Sequence, residues 1–102
     1  MQFVNLTPHA IHLPGLTVEP SGAVARCKES TIVVGHFGGV DLTVKEYGQV
    51  EGLPEPKENT MYIVSMLVRL GCPDRRDIAS PGDLVRDDKG QIIGAKNLAV
   101  NF

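Results

Sequence analysis

Hydrophobic and polar residues alternate along this chain in short bursts, and Pro or Gly interrupts them every roughly 8–12 residues, the rhythm of a small all-β domain. Met1 to Leu6 carries Phe3, Val4 and Leu6 and predicts a first strand. Asn5-Leu-Thr-Pro-His9 ends it, because Pro8 pushes Thr7 out of the helical region. Ala10 to Leu13 resumes as a second short strand, Pro14-Gly15 turns, Leu16 to Glu19 is extended, and Pro20-Ser-Gly22 turns again. Ala23 to Cys27 alternates small or polar with apolar residues, and Thr31 to Val34 is β-branched, so each predicts a strand. Gly35-His-Phe-Gly-Gly39 reads as a flexible connection between that strand and the next. Val40 to Tyr47 has the cleanest period of two, with Val40, Leu42 and Val44 on one face.

Glu51 to Asn59, with Pro54, Pro56 and three glutamates, predicts an exposed irregular loop. Met61 to Val64 is a buried strand candidate, after which Ser65 can cap a short helix, Met66 to Leu70, stopped by Gly71 and Pro73. The alternative is one continuous strand from Tyr62 to Val68. Asp77 to Ser80 leads into a Pro81-Gly82 turn. Leu84 to Arg86 and Gln91 to Ile93 read as a hairpin, with Gly90 in the left-handed position of its turn, and Leu98 to Val100 supplies a last strand. The expected fold is mainly β (α+β): a single compact domain over residues 1–102, a barrel or sandwich of short strands with one short helix near residues 65–70.

Composition narrows the function classes. A length of 102 residues is one domain, able to bury a core without metal or disulfide support. A net charge of -2 offers no basic face for a phosphate backbone, and aromatics at 5% leave no base-stacking platform, so nucleic acid is not an expected partner. No apolar run is long enough to span a bilayer and no signal peptide is visible, which predicts a cytoplasmic protein with Cys27 and Cys72 reduced. A Cys27–Cys72 disulfide is the alternative.

The arginines are the candidate chemistry. Arg69, Arg75, Arg76 and Arg86 crowd into one segment, interleaved with Asp74, Asp77 and Asp83, while the lysines are scattered. Arginine's planar fork suits phosphate and carboxylate. One reading is a pocket in which Arg69, Arg75 and Arg76 grip an anion, Ser65 and Ser80 add hydroxyls, and Asp77 or Asp83 holds a ribose hydroxyl. The other is an internal Arg–Asp network of little functional meaning. Asn5, Thr7 and His9 form a second candidate wall, or else a turn that satisfies its own backbone. His9-x-x-His12 is a poor metal signal, because an i, i+3 pair on a strand points to opposite faces, and no metal or cofactor is expected. No P-loop, G-x-G-x-x-G or G-x-S-x-G elbow is present. Cys72, with three arginines nearby in sequence, is a candidate for a lowered thiol pKa.

Asn5-Leu-Thr-Pro-His-Ala-Ile11, Pro20-Ser-Gly22, Val24-Ala-Arg26, Gly52-Leu-Pro-Glu-Pro56, Tyr62-Ile-Val-Ser65 and Ser80-Pro-Gly-Asp-Leu-Val-Arg-Asp87, with Gly90 and Ile93-Gly94, together resemble a family of short proteins encoded by bacteriophages, prophages and their hosts. The resemblance covers most of the chain and implies a phage setting rather than an activity. In that setting small accessory proteins often block a host defence, for example by sequestering a nucleotide immune signal. The leading expectation is therefore a non-enzymatic, homo-oligomeric binding protein for a small anionic ligand, a nucleotide above all. The alternatives are a protein-interaction module, inhibiting a host protein or serving as a minor virion component, and a small nucleotide-processing enzyme using His9 or Asp77 as acid or base. An exposed apolar patch outside the arginine segment would favour the interaction module.

Overall fold

In the computed structural model, which describes residues 1–102, ten strands and one helix follow one another along the chain. They are β1 (Gln2–Asn5), β2 (Ile11–Leu13), β3 (Leu16–Val18), β4 (Arg26–Phe37), β5 (Val40–Glu51), β6 (Thr60–Ile63), α1 (Met66–Gly71), β7 (Ile78–Pro81), β8 (Leu84–Arg86), β9 (Ile92–Ala95) and β10 (Leu98–Val100). Strand content of 52% against 6% helix makes the fold mainly β, and the strands form open sheets rather than a closed barrel.

The apolar run of β6 is central because both its neighbours cover it. The main sheet has the order β1-β6-β7-β10, with β1, β6 and β7 parallel and β10 antiparallel to β7. Parallel strands are joined by a crossover, and here α1 supplies it between β6 and β7. Ser65 caps the helix by accepting from the Val68 amide at 3.3 Å, as the sequence predicts. The crossover places Val68, fully buried, against Leu6, Ala25, Tyr62, Val64 and Ile78. Val4, Cys27, Val50, Leu53 and Cys72 close the rim of this core. Both cysteines are free thiols there.

Two elements differ from the sequence reading. Asp77 to Ser80 is not a lead-in to a turn: Ile78–Pro81 is an interior strand, and Ile78, Ala79 and Ser80 are buried. A strand covered on both faces shows no period of two, so its pattern was silent. Ala23–Ala25 is not strand, and Gly35–Phe37 is not a flexible connection. Arg26–Phe37 is one strand that pairs with Val40–Glu51 throughout and turns only at Gly38-Gly39. One extra residue at Val34 is absorbed as a bulge, which hid the continuity from a simple alternation count.

This long β4–β5 ribbon projects from the body as an arm. The molecule measures 52 × 38 × 27 Å with a radius of gyration of 16.1 Å. A compact chain of this length would have about 13 Å, and the arm accounts for the difference. The shorter hairpins β2–β3 and β8–β9 sit on the body and meet where β2 packs against β9. That approach needs glycine: a Cβ on Gly94 would lie 2.8 Å from the His12 carbonyl oxygen. Gly52, which has φ +81°, is held as tightly: a Cβ there would lie 2.6 Å from the Val24 carbonyl oxygen.

Candidate functional site

The arginine segment is largely occupied by its own neighbours. Arg75 forms a two-pronged ion pair with Asp77, Nε to Oδ1 at 2.7 Å and Nη2 to Oδ2 at 2.8 Å, and Nη2 also donates to the Pro54 carbonyl at 2.8 Å. Both side chains of the pair are mostly covered, at 23% and 20% exposure. The hydrogen bond from Arg75 holds the Asp77 carboxyl below its ordinary value of 3.8, against a smaller opposing effect of burial. The Asp77 partner likewise raises the Arg75 pKa, so the pair stays ionised at neutral pH. The pair pins the irregular loop around Pro54 to the start of β7.

Arg69 points inward. Its Nε donates to the buried Ser80 hydroxyl at 2.8 Å, and Nη1 reaches Asn101 Oδ1 at 3.4 Å. The Asn101 amide in turn donates to the carbonyls of Arg69, Cys72 and Arg75, which are left open where the helix ends. Asn101 was missed in the sequence because nothing local marks a residue whose carbonyl partners lie 32, 29 and 26 positions away. Asp83 accepts from Asn97 Nδ2 at 3.1 Å, while Asn97 Oδ1 accepts the Asp83 amide at 2.9 Å. Arg86 closes its own hairpin by donating to the Gly90 carbonyl at 2.8 Å. Arg76 is exposed and makes no hydrogen bond or ion pair within the chain.

The Asn5–His9 turn also satisfies itself. Asn5 is buried, at 1% exposure, and its Nδ2 donates to the carbonyls of His9 at 2.8 Å and Val18 at 3.0 Å. Its Oδ1 accepts from the Thr7 amide at 2.9 Å and the Thr7 hydroxyl at 2.7 Å. Asn5 and Thr7 thus build the turn, and what the turn presents outward is the His9 ring.

His9 leads to a cleft of about 590 Å³ between the turn, β2 and the β8–β9 hairpin. Its floor is apolar, made by Ile11, Pro81, Leu84, Ile92 and Ala95, and His9 and His12 stand on its lining. They share the cleft because His9 lies in the turn before β2 rather than on the strand, which removes the opposite-face expectation. His12 Nδ1 lies 3.2 Å from the Thr17 hydroxyl, which orients the ring from across the hairpin. No Asp, Glu, Lys, Arg, Ser, Thr or Cys lines this cleft. Of the candidate residues, Ser65 instead borders a shallower hollow of about 420 Å³ with Arg26, Cys27, Glu29 and Leu67. The structure therefore does not gather Asn5, Thr7, His9, Ser65, Arg69, Arg75, Arg76, Asp77, Ser80 and Asp83 around one cavity. No three His, Cys, Asp or Glu side chains converge as metal ligands, and no helix is long and apolar enough to cross a membrane.

Comparison with known families, with characterised proteins and with solved structures finds no match to this chain.

Proposed function

We propose that the chain is a non-enzymatic binding protein, a phage or prophage accessory protein that takes up a small ligand in the cytoplasm of the host. The observation that carries this reading is the chemistry of the large cleft. It has the volume of a ligand pocket, an apolar floor and two imidazoles, and its lining has no carboxylate, hydroxyl or thiol side chain. Pockets of that kind hold a flat apolar body and fix its orientation by a few polar groups. A nucleotide meets both conditions, with the base against Ile11, Pro81 and Ile92 and an anionic edge toward His9 and His12. The arginines retained from the sequence reading contribute less, since Arg69 and Arg75 are already paired. Arg76 is the arginine of that segment left to meet a ligand or partner from outside. Sequestration of a nucleotide signal, and so interference with a host defence, is the use this reading fits best.

The test is native mass spectrometry of the purified protein with a panel of nucleotides and dinucleotides, followed by release and identification of whatever is bound. Recovery of an intact nucleotide at a fixed ratio to protein supports sequestration. Recovery of a converted product places the protein among the enzymes, and no bound nucleotide at all removes the small-ligand reading.

A second reading is favoured by a separate observation. Outside the arginine segment, the β4–β5 arm exposes Val34, Phe37 and Val40 at 63%, 79% and 63%. Such a patch is what a protein-interaction module presents.

A further inference from the structure

We propose that one face of the β4–β5 arm is the interface between two copies of this chain. The ribbon's register decides which side chains share a face, because residues directly opposite in an antiparallel pair point the same way. Ile32 lies opposite Val44, Gly35 opposite Leu42, and Phe37 opposite Val40. Ile32, Phe37, Val40, Leu42 and Val44 therefore form one apolar stripe, each at 40% exposure or more. The other face is mixed: it carries Glu29, Thr31, Lys45, His36 and Asp41 together with Thr43, Val33 and Tyr47. Its ion pairs, Lys45 to Glu29 at 3.5 Å and His36 to Asp41 at 3.1 Å, confirm that these charges share a side. The bulge at Val34 is what makes the stripe continuous. Were β4 to alternate through Val34 with no bulge, His36 rather than Phe37 would stand on the face of Ile32.

A two-stranded ribbon with a bare apolar face is at best marginally stable in water. At its base the ribbon turns the opposite face, through Cys27 and Val50, into the core, so its own domain does not cover the stripe. The accessible surface sets an upper bound on the missing cover. It is 7193 Å² for this chain of 11.0 kDa. A compact monomer of that mass exposes about 5,600 Å². The excess, near 1,600 Å², belongs to the whole elongated chain, both faces of the arm included, and is enough to contain the roughly 800 Å² that each partner contributes to a standard interface.

The occupant follows from the need for cover at all times. A ribbon that depends on a partner for its fold is best served by a partner synthesised with it, which is another copy. The stripe suits that arrangement because between Ile32 and Val44 it bears no charge, the first charge on that face being Glu46, opposite Ser30, at its base. Apposing it with itself about a two-fold axis brings no like charges together, while the charged face stays in water. Two such ribbons would stack face to face at about 10 Å.

The experiment is sedimentation velocity and light scattering on the full chain from micromolar concentration upward, with Leu42→Lys and Thr43→Lys as a pair of adjacent variants on opposite faces. The expected result is at least twice the monomer mass for the wild type and Thr43→Lys, and a folded chain of single mass for Leu42→Lys. A wild type that is monomeric throughout, including one that instead holds a host protein on the arm, overturns the proposal, as does an assembly that Leu42→Lys leaves intact. Hydrogen exchange on the wild type covers the case in which Leu42→Lys does not fold. Amides of residues 30–46 should lose protection when the protein is diluted below its assembly range. Protection in the arm that ignores assembly overturns the proposal equally.

Discussion

Replacing Asn5 separates a scaffold from a ligand contact. Its side chain, at 1% exposure, ends four hydrogen bonds, to the Thr7 amide and hydroxyl and from its own amide to the carbonyls of His9 and Val18. Each such bond contributes about 1 kcal/mol net, and an unsatisfied buried partner costs more. Asn5→Ala releases all of them. His9 is exposed and Thr7 and Val18 are half-buried, so water can restore part of the loss. The expected destabilisation is about 2–3 kcal/mol, or a fall in Tm of roughly 10–20 °C for a domain of this size. Asn5→Asp keeps the shape but turns a donor into an acceptor facing two carbonyls, and places a charge where nothing pairs with it. It should cost more than alanine at neutral pH. Urea titration followed by far-ultraviolet circular dichroism, at one fixed protein concentration, reads both variants. Stability within 0.5 kcal/mol of wild type for Asn5→Ala, or an Asn5→Asp as stable as wild type, would refute the scaffold argument. A loss of nucleotide binding with unchanged stability would give Asn5 back to the ligand.

Other perturbations test other parts of the account. Asp77 has a lowered carboxyl pKa in the fold, so the stability it contributes is complete above its unfolded value and is lost as pH falls below 3.8 toward the folded value. Asp77→Asn should therefore be less stable at pH 7 and show a flatter stability profile in that acid window, read by urea midpoints at successive pH values. An acid limb as steep as that of wild type would count against the pair. Asn101→Ala should free the carbonyls of Arg69, Cys72 and Arg75 and cost about 1–2 kcal/mol, with faster amide exchange in α1; unchanged exchange there would refute its capping role. Gly94→Ala forces its Cβ against the His12 carbonyl, so it should part β2 from β9 and abolish ligand uptake by the cleft, visible as a loss of the bound nucleotide in native mass spectrometry while the main sheet remains folded. Retained uptake would mean that the cleft is not the site.

What the sequence made legible was local. The Val40–Val44 alternation, the Ser65 cap and the Gly90 turn each depend on neighbours within a few positions, and each is present in the structure. The crossover from β6 through α1 to β7 was not legible, because Ile78–Pro81 takes its strand character from being enclosed between β6 and β10. The arginine cluster was visible as composition, but composition is silent on whether a guanidinium faces out or finds Asp77, Ser80 or the Pro54 carbonyl. The His9-x-x-His12 spacing was read with strand geometry throughout, and the turn at His9 breaks that geometry. The exposed stripe on the arm carries the same alternation that a core strand would show. A period of two tells which residues share a face and leaves open whether the cover comes from the same chain or another.

The most direct test of the central claim compares two variants in one binding assay, using whichever nucleotide the native mass spectra recover. His9→Ala combined with His12→Ala removes the polar groups of the cleft, while Arg76→Ala removes the unpaired arginine of the other candidate segment; Arg75→Ala is unsuitable because it breaks the fold's own ion pair. The account predicts that the double histidine variant binds at least about tenfold more weakly by isothermal titration calorimetry, equivalent to about 1.4 kcal/mol, with Arg76→Ala close to wild type. A histidine variant that binds normally, with binding lost in Arg76→Ala, would contradict it and return the ligand to the arginine segment.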